Sequence, residues 1–426
     1  MEPAFVPEIY AIDFGTTNSL LAAANAERVH APIALDPSAP DPSILRSVLY
    51  FPNAHECLYG AEAVEQYAAR GMDGRLIRSV KKHLPSRAFI GTHIDERPMN
   101  LEDLIGAFLR EMRVRADRFF GVEVRRVVLG RPARFSTDDA DDRYAQYRLE
   151  RAAGIAGFHE VSFCPEPIAA ARDFRSTLTE PKLVLVGDFG GGTSDFTVMR
   201  MQSERYDPAD VLAVGGVSVA GDAYDSAIMR HHVARHFGSE VRYRVPLGSN
   251  VLSMPPALME KICSPADASL LRDQDAMRFL RELRALALGP DDRSRLDQLF
   301  VLVEDRLGFQ LFEAIGAAKH ALSEAEETTV RFAHPGIEVV EPVAREAFAQ
   351  SSHKQTDAIV QTLDATLERA RVRSSEVELV CCTGGTARVP ALATALAARF
   401  GKEKLRQFRA FHSVIAGLAS HAQTLC

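Results

Sequence analysis

Ala11-Ile12-Asp13-Phe14-Gly15-Thr16-Thr17-Asn18-Ser19 and Gly187-Asp188-Phe189-Gly190-Gly191-Gly192-Thr193-Ser194-Asp195 decide how the rest of this chain is read. Each stretch follows a short apolar run, Ile9 to Asp13 in the first case and Lys182 to Val186 in the second. Each is followed by another, Leu20 to Ala24 and Phe196 to Met199. Both therefore read as strand–turn–strand rather than strand–turn–helix. Both share Asp-Phe-Gly with a threonine close behind. One such turn is explained by a β-hairpin with an Asx-type bond. A pair with the same grammar suggests a duplicated lobe that closes on a phosphate chain from two sides.

The chemistry supports that reading. Backbone N–H groups in a glycine-rich turn can point at phosphate oxygens with no Cβ in the way, and threonine hydroxyls add donors. Carboxylates do not face phosphate favourably, so Asp13, Asp188 and Asp195 need another task. Holding Mg²⁺ through its water shell is the natural one, because that ion takes oxygen ligands and keeps several waters. A third glycine turn, Gly384-Gly385, follows the apolar run Val377 to Cys382.

Composition narrows the class. Lys plus Arg total 50 and Asp plus Glu 57, a net charge of -7, which argues against a dedicated nucleic-acid binder. No apolar run approaches the roughly 20 residues that span a bilayer. The opening Met1-Glu2-Pro3-Ala4-Phe5-Val6-Pro7-Glu8 has no basic segment followed by an apolar one. The six cysteines are scattered and show no CxxC, which suits a reducing cytoplasm. Adjacent Cys381 and Cys382 read as small buried strand residues, with a redox or metal role as the alternative. The expectation is a cytoplasmic protein with no membrane or nucleic-acid partner.

Between the turns, Leu101 to Phe120 has helical spacing, with Leu104, Phe108 and Met112 on one face. Val124 to Leu129 reads as a buried strand. Ser136-Thr137-Asp138-Asp139 reads as a helix start, because side-chain oxygens cap free amides and acids favour the positive dipole end. The acids Asp138, Asp139, Asp141 and Asp142 are explained by capping and solvation, a metal site being the alternative. A helix is expected from about Asp222 to Phe237. Residues 238–256 read as loop, and 257–325 as mostly helical with a break at Pro290. Ile359, Leu363, Leu367 and Ala370 form a helical stripe.

Other phosphate grips are excluded. There is no GxxxxGK[ST], so a P-loop is not supported. Gly190-Gly191-Gly192 does not satisfy GxGxxG opening a helix. The DFG triplets lack the HRD catalytic loop of protein kinases. The three turns instead resemble the nucleotide motifs of the DnaK (heat shock protein 70) ATPase domain, within the actin/hexokinase-like superfamily. The third is Gly384-Gly385-Thr386-Ala387-Arg388-Val389-Pro390. The resemblance continues through Gly130-Arg131-Pro132-Ala133, Glu166-Pro167-Ile168-Ala169-Ala170-Ala171, Gly221-Asp222-Ala223-Tyr224-Asp225 and Ala318-Lys319-His320-Ala321-Leu322-Ser323. Glu304-Asp305-Arg306-Leu307-Gly308-Phe309 and the end at Cys426 resemble the short YegD-type members, which consist of the ATPase domain alone.

The resemblance implies ATP or ADP with Mg²⁺, and roles for individual residues. Lys81 sits where the family keeps a catalytic lysine, with Lys82 as the competing register. Glu166 matches the glutamate that arranges metal hydration and the attacking water, and Thr193 the γ-phosphate contact. Gly15, Thr16, Thr17 and Asn18, with Gly190, Gly191 and Gly192, match the phosphate turns. Asp13, Asp188 and Asp195 match the carboxylates round the metal, Asp195 also counting among the catalytic set. Gly384, Gly385 and Arg388 match the adenosine-facing turn, where Arg388 would stack on adenine. Lys319 and Ser323 match the other wall of the base and ribose pocket. Two departures touch nucleoside recognition: Gly316 stands where the family has an acid, and Phe411 where it has an aspartate.

The implied fold is α/β, with two actin-like (ribonuclease-H-like) lobes round a central nucleotide cleft. The first lobe would span about residues 1–180, with about 31–115 peripheral. The second would span about 181–410, with about 238–311 a helical insertion, and 411–426 a helix returning to the first lobe. A β-rich peptide-binding domain and helical lid would be absent, so the expected output is lobe closure read by an unknown protein partner or client. Two other functions stay open: a small-molecule, sugar-type kinase of the same superfamily, and a nucleotide-gated scaffold that does not hydrolyse.

Overall fold

The structure, a computed structural model, describes residues 5–426 apart from 72, 137, 176–177, 179, 203–207, 246–249, 265–273 and 408–411. It parts into two compact units. One comprises Met1–Ser218, Ala358–Ala387 and Ala395–Cys426, the other Val219–Asp357 and Arg388–Thr394.

The first unit holds two sheets of one topology. In the first sheet, the central strand Ile9–Phe14 pairs antiparallel with Asn18–Ala24, which pairs antiparallel with Val29–His30. On its other side lie Arg126–Arg131 and then Glu160–Pro165, both parallel. In the second sheet, Lys182–Phe189 pairs antiparallel with Ser194–Met201, which pairs antiparallel with Val211–Val217. Leu379–Thr383 and Leu405–Gln407 follow in parallel on the other side. Order and sense match along these five strands, and the first sheet adds a sixth, Leu45–Arg46, antiparallel to Asn18–Ala24. Even the hairpin registers match, with Phe14 opposite Ser19 and Phe189 opposite Ser194. The duplication expected from the two turns is therefore a duplication of whole sheets.

The strands are apolar without alternation because both faces are covered. One face of the first sheet, through Tyr10, Ile12, Phe14, Leu21 and Leu129, packs on the helix Leu101–Phe120 through Leu104, Phe108 and Met112. The opposite face, through Ile9, Ala11, Leu20, Ala22 and Val128, shares a core with Val184, Val186 and Cys381 of the second sheet. The helix His412–Gln423 joins that core through Val414, Ile415 and Leu418. Fully burying each large apolar side chain stabilises the fold by roughly 1.5–3 kcal/mol. That terminal helix crosses the helix Glu166–Arg175 so closely that a Cβ on Gly417 would lie 1.8 Å from the Ala169 carbonyl oxygen. Only glycine permits the crossing.

Several expectations hold, and some shift. Leu101–Phe120 is a helix over the expected span. Asp138 caps the helix Asp139–Ile155 by accepting from the Ala140 and Asp141 amides. Asp142 pairs with Arg131, Asp139 with Arg134 and Asp141 with Arg87, so caps and ion pairs account for the acidic run. Both hairpin strands run further toward their turns than the apolar pattern suggested, because Gly187, Asp188 and Phe189 pair with Phe196, Asp195 and Ser194. The strand expected at Val124 to Leu129 begins at Arg126. The Val124 amide is taken by the Asp117 carboxylate instead of a neighbouring strand. Cys381 and Cys382 are buried in Leu379–Thr383.

In the second unit, the helix expected to Phe237 is α-helical only over Gly221–Ile228. It then widens into a π turn at Met229–Val233 and tightens to 3-10 geometry at Ala234–Phe237. Residues 238–256, read as loop, contain a small sheet of Arg242–Arg244 with Val251–Ser253. Strands of three residues are too short to leave a period in the sequence. The helices Pro256–Ile262, Gln274–Leu286, Asp292–Glu304 and Gly308–Ala321 follow as expected. The hairpin Glu327–His334 and Ile337–Ala344 alternates buried and exposed along its second strand. Among the described residues no helix is long and apolar enough to cross a membrane.

Candidate functional site

The two hairpin tips and the third turn are tied into one framework within the first unit. In the first tip, Ser47 donates its hydroxyl to the Gly15 carbonyl at 2.7 Å and its amide to the Thr17 carbonyl at 2.8 Å. In the second, the Gly190 amide donates to the Thr193 carbonyl at 2.9 Å. The Thr386 hydroxyl donates to the Gly190 carbonyl at 2.7 Å, so the third turn braces the second. Gly384 sits at φ +82, and a Cβ there would lie 2.1 Å from the Phe189 carbonyl oxygen. The tips approach one another, since a Cβ on Gly192 would be 3.5 Å from Thr16 Cγ2. Gly191 and Asn18 lie in these same tips.

The acids sit just below the tips. Asp188 and Asp195 are directly opposite across the second hairpin. Thr383 Oγ1 donates to Asp188 Oδ1 at 2.8 Å, and Thr193 Oγ1 donates to Asp195 Oδ2 at 2.9 Å. Asp13 occupies the matching place in the first hairpin. Glu166 opens its helix directly after the strand Glu160–Pro165. Lys81 reaches it from the 3-10 turn Val80–His83, with Nζ donating to Oε1 at 2.7 Å, both side chains being buried. Lys82 is exposed, so of the two registers only Lys81 stands beside Glu166.

The electrostatics follow from four carboxylates around one ammonium. Burial, and then the Glu166 charge, push Asp13 up to about 8. Burial and then Asp188 push Asp195 up to about 8. Burial and Glu166 raise Asp188 to about 6, with the Thr383 hydroxyl opposing. Burial alone would lower Lys81, but Glu166 and Asp13 outweigh it and hold the ammonium above its usual value. The pocket has more negative charge than one lysine can balance, which invites a cation. Its donors are all oxygen, which suits Mg²⁺. Among the described residues no three His, Cys, Asp or Glu side chains are grouped closely enough to cage a metal, so an ion there would be held largely through water.

In the second unit, Lys319 on the helix Gly308–Ala321 donates to Asp225 Oδ2 at 2.8 Å and to the Gly221 carbonyl at 3.1 Å. It joins two of the stretches singled out in the sequence. Ser323 follows that helix, half-buried, and its amide donates to the His320 carbonyl. Arg388 ends the 3-10 turn Gly385–Arg388 and is exposed. Gly316 faces open space, with nothing within 4 Å of an added Cβ. Phe411 lies outside the described residues.

The Hsp70 protein family matches residues 9–247 and 302–426. This chain belongs to the Hsp70 family. Its fold is accordingly the actin-like α/β fold, and the paired sheets are the duplicated core of it. The chain is 27% identical to the chaperone protein HscA of Edwardsiella ictaluri, over 97% of itself and 58% of that protein. It is 22% identical to the chaperone protein DnaK of Thermosipho melanesiensis, over 98% of itself and 59% of that protein. It thus spans under two thirds of the length of these Hsp70 relatives. Residues 248–301, which include the helices Pro256–Ile262 and Gln274–Leu286, fall outside the family match.

Reasoning from sequence missed the braces of this Hsp70 site. Ser47 lies in the stretch expected only to be peripheral, and nothing in its neighbourhood marks it. Thr386 lies inside the third motif and Thr383 just before it, but only the contacts to Gly190 and Asp188 reveal their tasks.

Proposed function

We propose that this Hsp70-family chain binds ATP and ADP with Mg²⁺ and slowly hydrolyses ATP. The observation that carries the reading is the buried Lys81–Glu166 pair at 2.7 Å, set among Asp13, Asp188 and Asp195 below two matching glycine turns. The amides of Gly15, Thr16, Thr17 and Asn18 and of Gly190, Gly191 and Gly192 would hold the phosphates. Lys81 keeps its proton and offers positive charge to the γ-phosphoryl group. The Thr193 hydroxyl would turn from Asp195 to the same group, and Glu166 would orient the attacking water. Mg²⁺, held through water by Asp13, Asp188 and Asp195, would neutralise charge developing on the phosphate oxygens. Lys319, Ser323, Gly384, Gly385 and Arg388 would serve the nucleoside.

In this reading the lobes divide near residue 180, one sheet to each, with about 31–115 and 238–311 peripheral and 411–426 returning to the first. Their closure on nucleotide is the output, read by a protein partner or client. The HscA and DnaK relatives are chaperones by name, and a chaperone-related role here follows that likeness. Calorimetric titration with Mg-ATP tests the first step, and an absence of binding ends the proposal. If binding persists while Lys81→Ala and Glu166→Ala hydrolyse ATP at the parent rate, the roles given to these residues are wrong.

A further inference from the structure

We propose that Arg148 is a positioning residue for Lys81, acting through the backbone of the segment that carries it. This rests on the ATPase reading above and adds a component to it. Arg148, on the helix Asp139–Ile155, is 1% exposed and heads the fully buried side chains by size. Its Nη1 donates to the carbonyls of His83 at 3.3 Å and Ser86 at 3.2 Å, and its Nη2 to that of Phe89 at 3.1 Å. Glu102 balances the charge, accepting from Nε at 3.0 Å and from Nη2 at 3.4 Å.

All three carbonyls belong to the stretch that immediately follows Lys81. The same helix grips that stretch a second time. The Tyr144 ring is approached by the guanidinium groups of both Arg148, at 5.3 Å, and Arg87, at 4.7 Å. Arg87 also pairs with Asp141 at 2.8 Å. His83 stacks on Phe89 with ring centroids 4.1 Å apart. Residues 83–89 are therefore wrapped round one buried cation.

The other end of the lysine turn shows why holding is needed. Ser79, just before Val80–His83, sits at φ +56, in the left-handed region that a residue with a Cβ disfavours. A turn entered through strained backbone stays put only if its far side is fixed. Arginine suits that task, because its planar fork of five N–H donors can meet several carbonyls and a carboxylate at once. A lysine supplies three donors from one point and cannot span them. Loosening the fixture would let Lys81 drift from Glu166, and a displacement of about 1 Å at a reacting centre can reduce rate by about a hundredfold.

The test is Arg148→Lys, alone and combined with Lys81→Ala. In the otherwise native chain, kcat for ATP should fall by about tenfold or more with KM changed by less than about twofold. In the Lys81→Ala background the same substitution should change kcat by less than about twofold, since its target is gone. An equal loss in both backgrounds overturns the proposal. A readout independent of turnover accompanies it: acetylation of the full chain without nucleotide, followed by peptide mass spectrometry. Arg148→Lys should speed modification of buried Lys81 relative to exposed Lys82 by about threefold or more. An unchanged ratio also overturns the proposal. If the parent chain fails to hydrolyse ATP, the ATPase reading falls, while the labelling ratio still judges the clamp.

Discussion

The two hairpins share strand order, turn length and register, yet they are not equivalent. Asp13 faces Leu20 across the first hairpin, and Asp188 faces Asp195 at the matching place in the second. Leu20 is fully buried and belongs to the core shared by the two sheets. The hairpin scaffold was thus copied whole, but the acid load was not. One hairpin spends the second position on packing, and the other spends it on a carboxylate whose protonation burial disturbs. In the proposed function, the shared symmetry would serve binding and its local violation would place the chemistry on one side.

Making the first hairpin like the second should cost most. Leu20→Asp would set a carboxylate in a dry core opposite Asp13 and should destabilise the fold by about 3–5 kcal/mol. A melting temperature equal to the parent's would show that the hairpins tolerate acid equally. The reverse change, Asp195→Leu, should reduce ATP hydrolysis by about a hundredfold while leaving melting without nucleotide at or above the parent value. Loss of folding instead would mean that Asp195 is structural. Lys81→Ala should match that loss of rate, and a chain with both changes should be little worse than either alone, because the groups act on the same step. Gly384→Ala, which forces a Cβ against the Phe189 carbonyl at positive φ, should cost about 2 kcal/mol in thermal or urea melting.

The smallest effect is one of pH, and it falls on both hairpins. Asp13 and Asp195 both titrate near 8 in the folded chain, above the ordinary carboxylate. Each therefore contributes stability that is fully present below the ordinary value and is lost as pH rises through about 8. With divalent cations chelated, the protein should melt several degrees lower at about pH 9 than at about pH 6. Asp13→Asn and Asp195→Asn should each flatten that slope, and a slope unchanged in both assigns it to other groups.

Much of this could be read in advance. The turns announced themselves because glycine, threonine and acid between apolar runs have few other uses. Two strand–turn–strand units followed from them, while the parallel strands beside each hairpin left no mark of their order in the sequence. Lys81 and Lys82 were inseparable in sequence, since adjacent residues differ in role only through direction. A 3-10 turn sends successive side chains roughly 120° apart, which buries one and exposes the other. Arg148 was invisible for a different reason. It lies in a helix crowded with charge, where an arginine ordinarily reads as solvated surface, and its partners are carbonyl groups that sequence does not mark. Ser47 and the short strands at Arg242–Arg244 and Val251–Ser253 escaped because their meaning is wholly tertiary.

The crossing of Gly417 over Ala169 bears on how the protein is made. The helix that begins at Glu166 is backed by residues 412–423, which lie far later in the sequence. Contacts of such long separation are slow to form, and chain segments fold in the order in which they are synthesised. The wall behind Glu166 can close only after that late helix has been made. A nascent chain would carry both glycine turns before the backing of this helix exists, so the hydrolytic role proposed for Glu166 should await synthesis of residues 412–423.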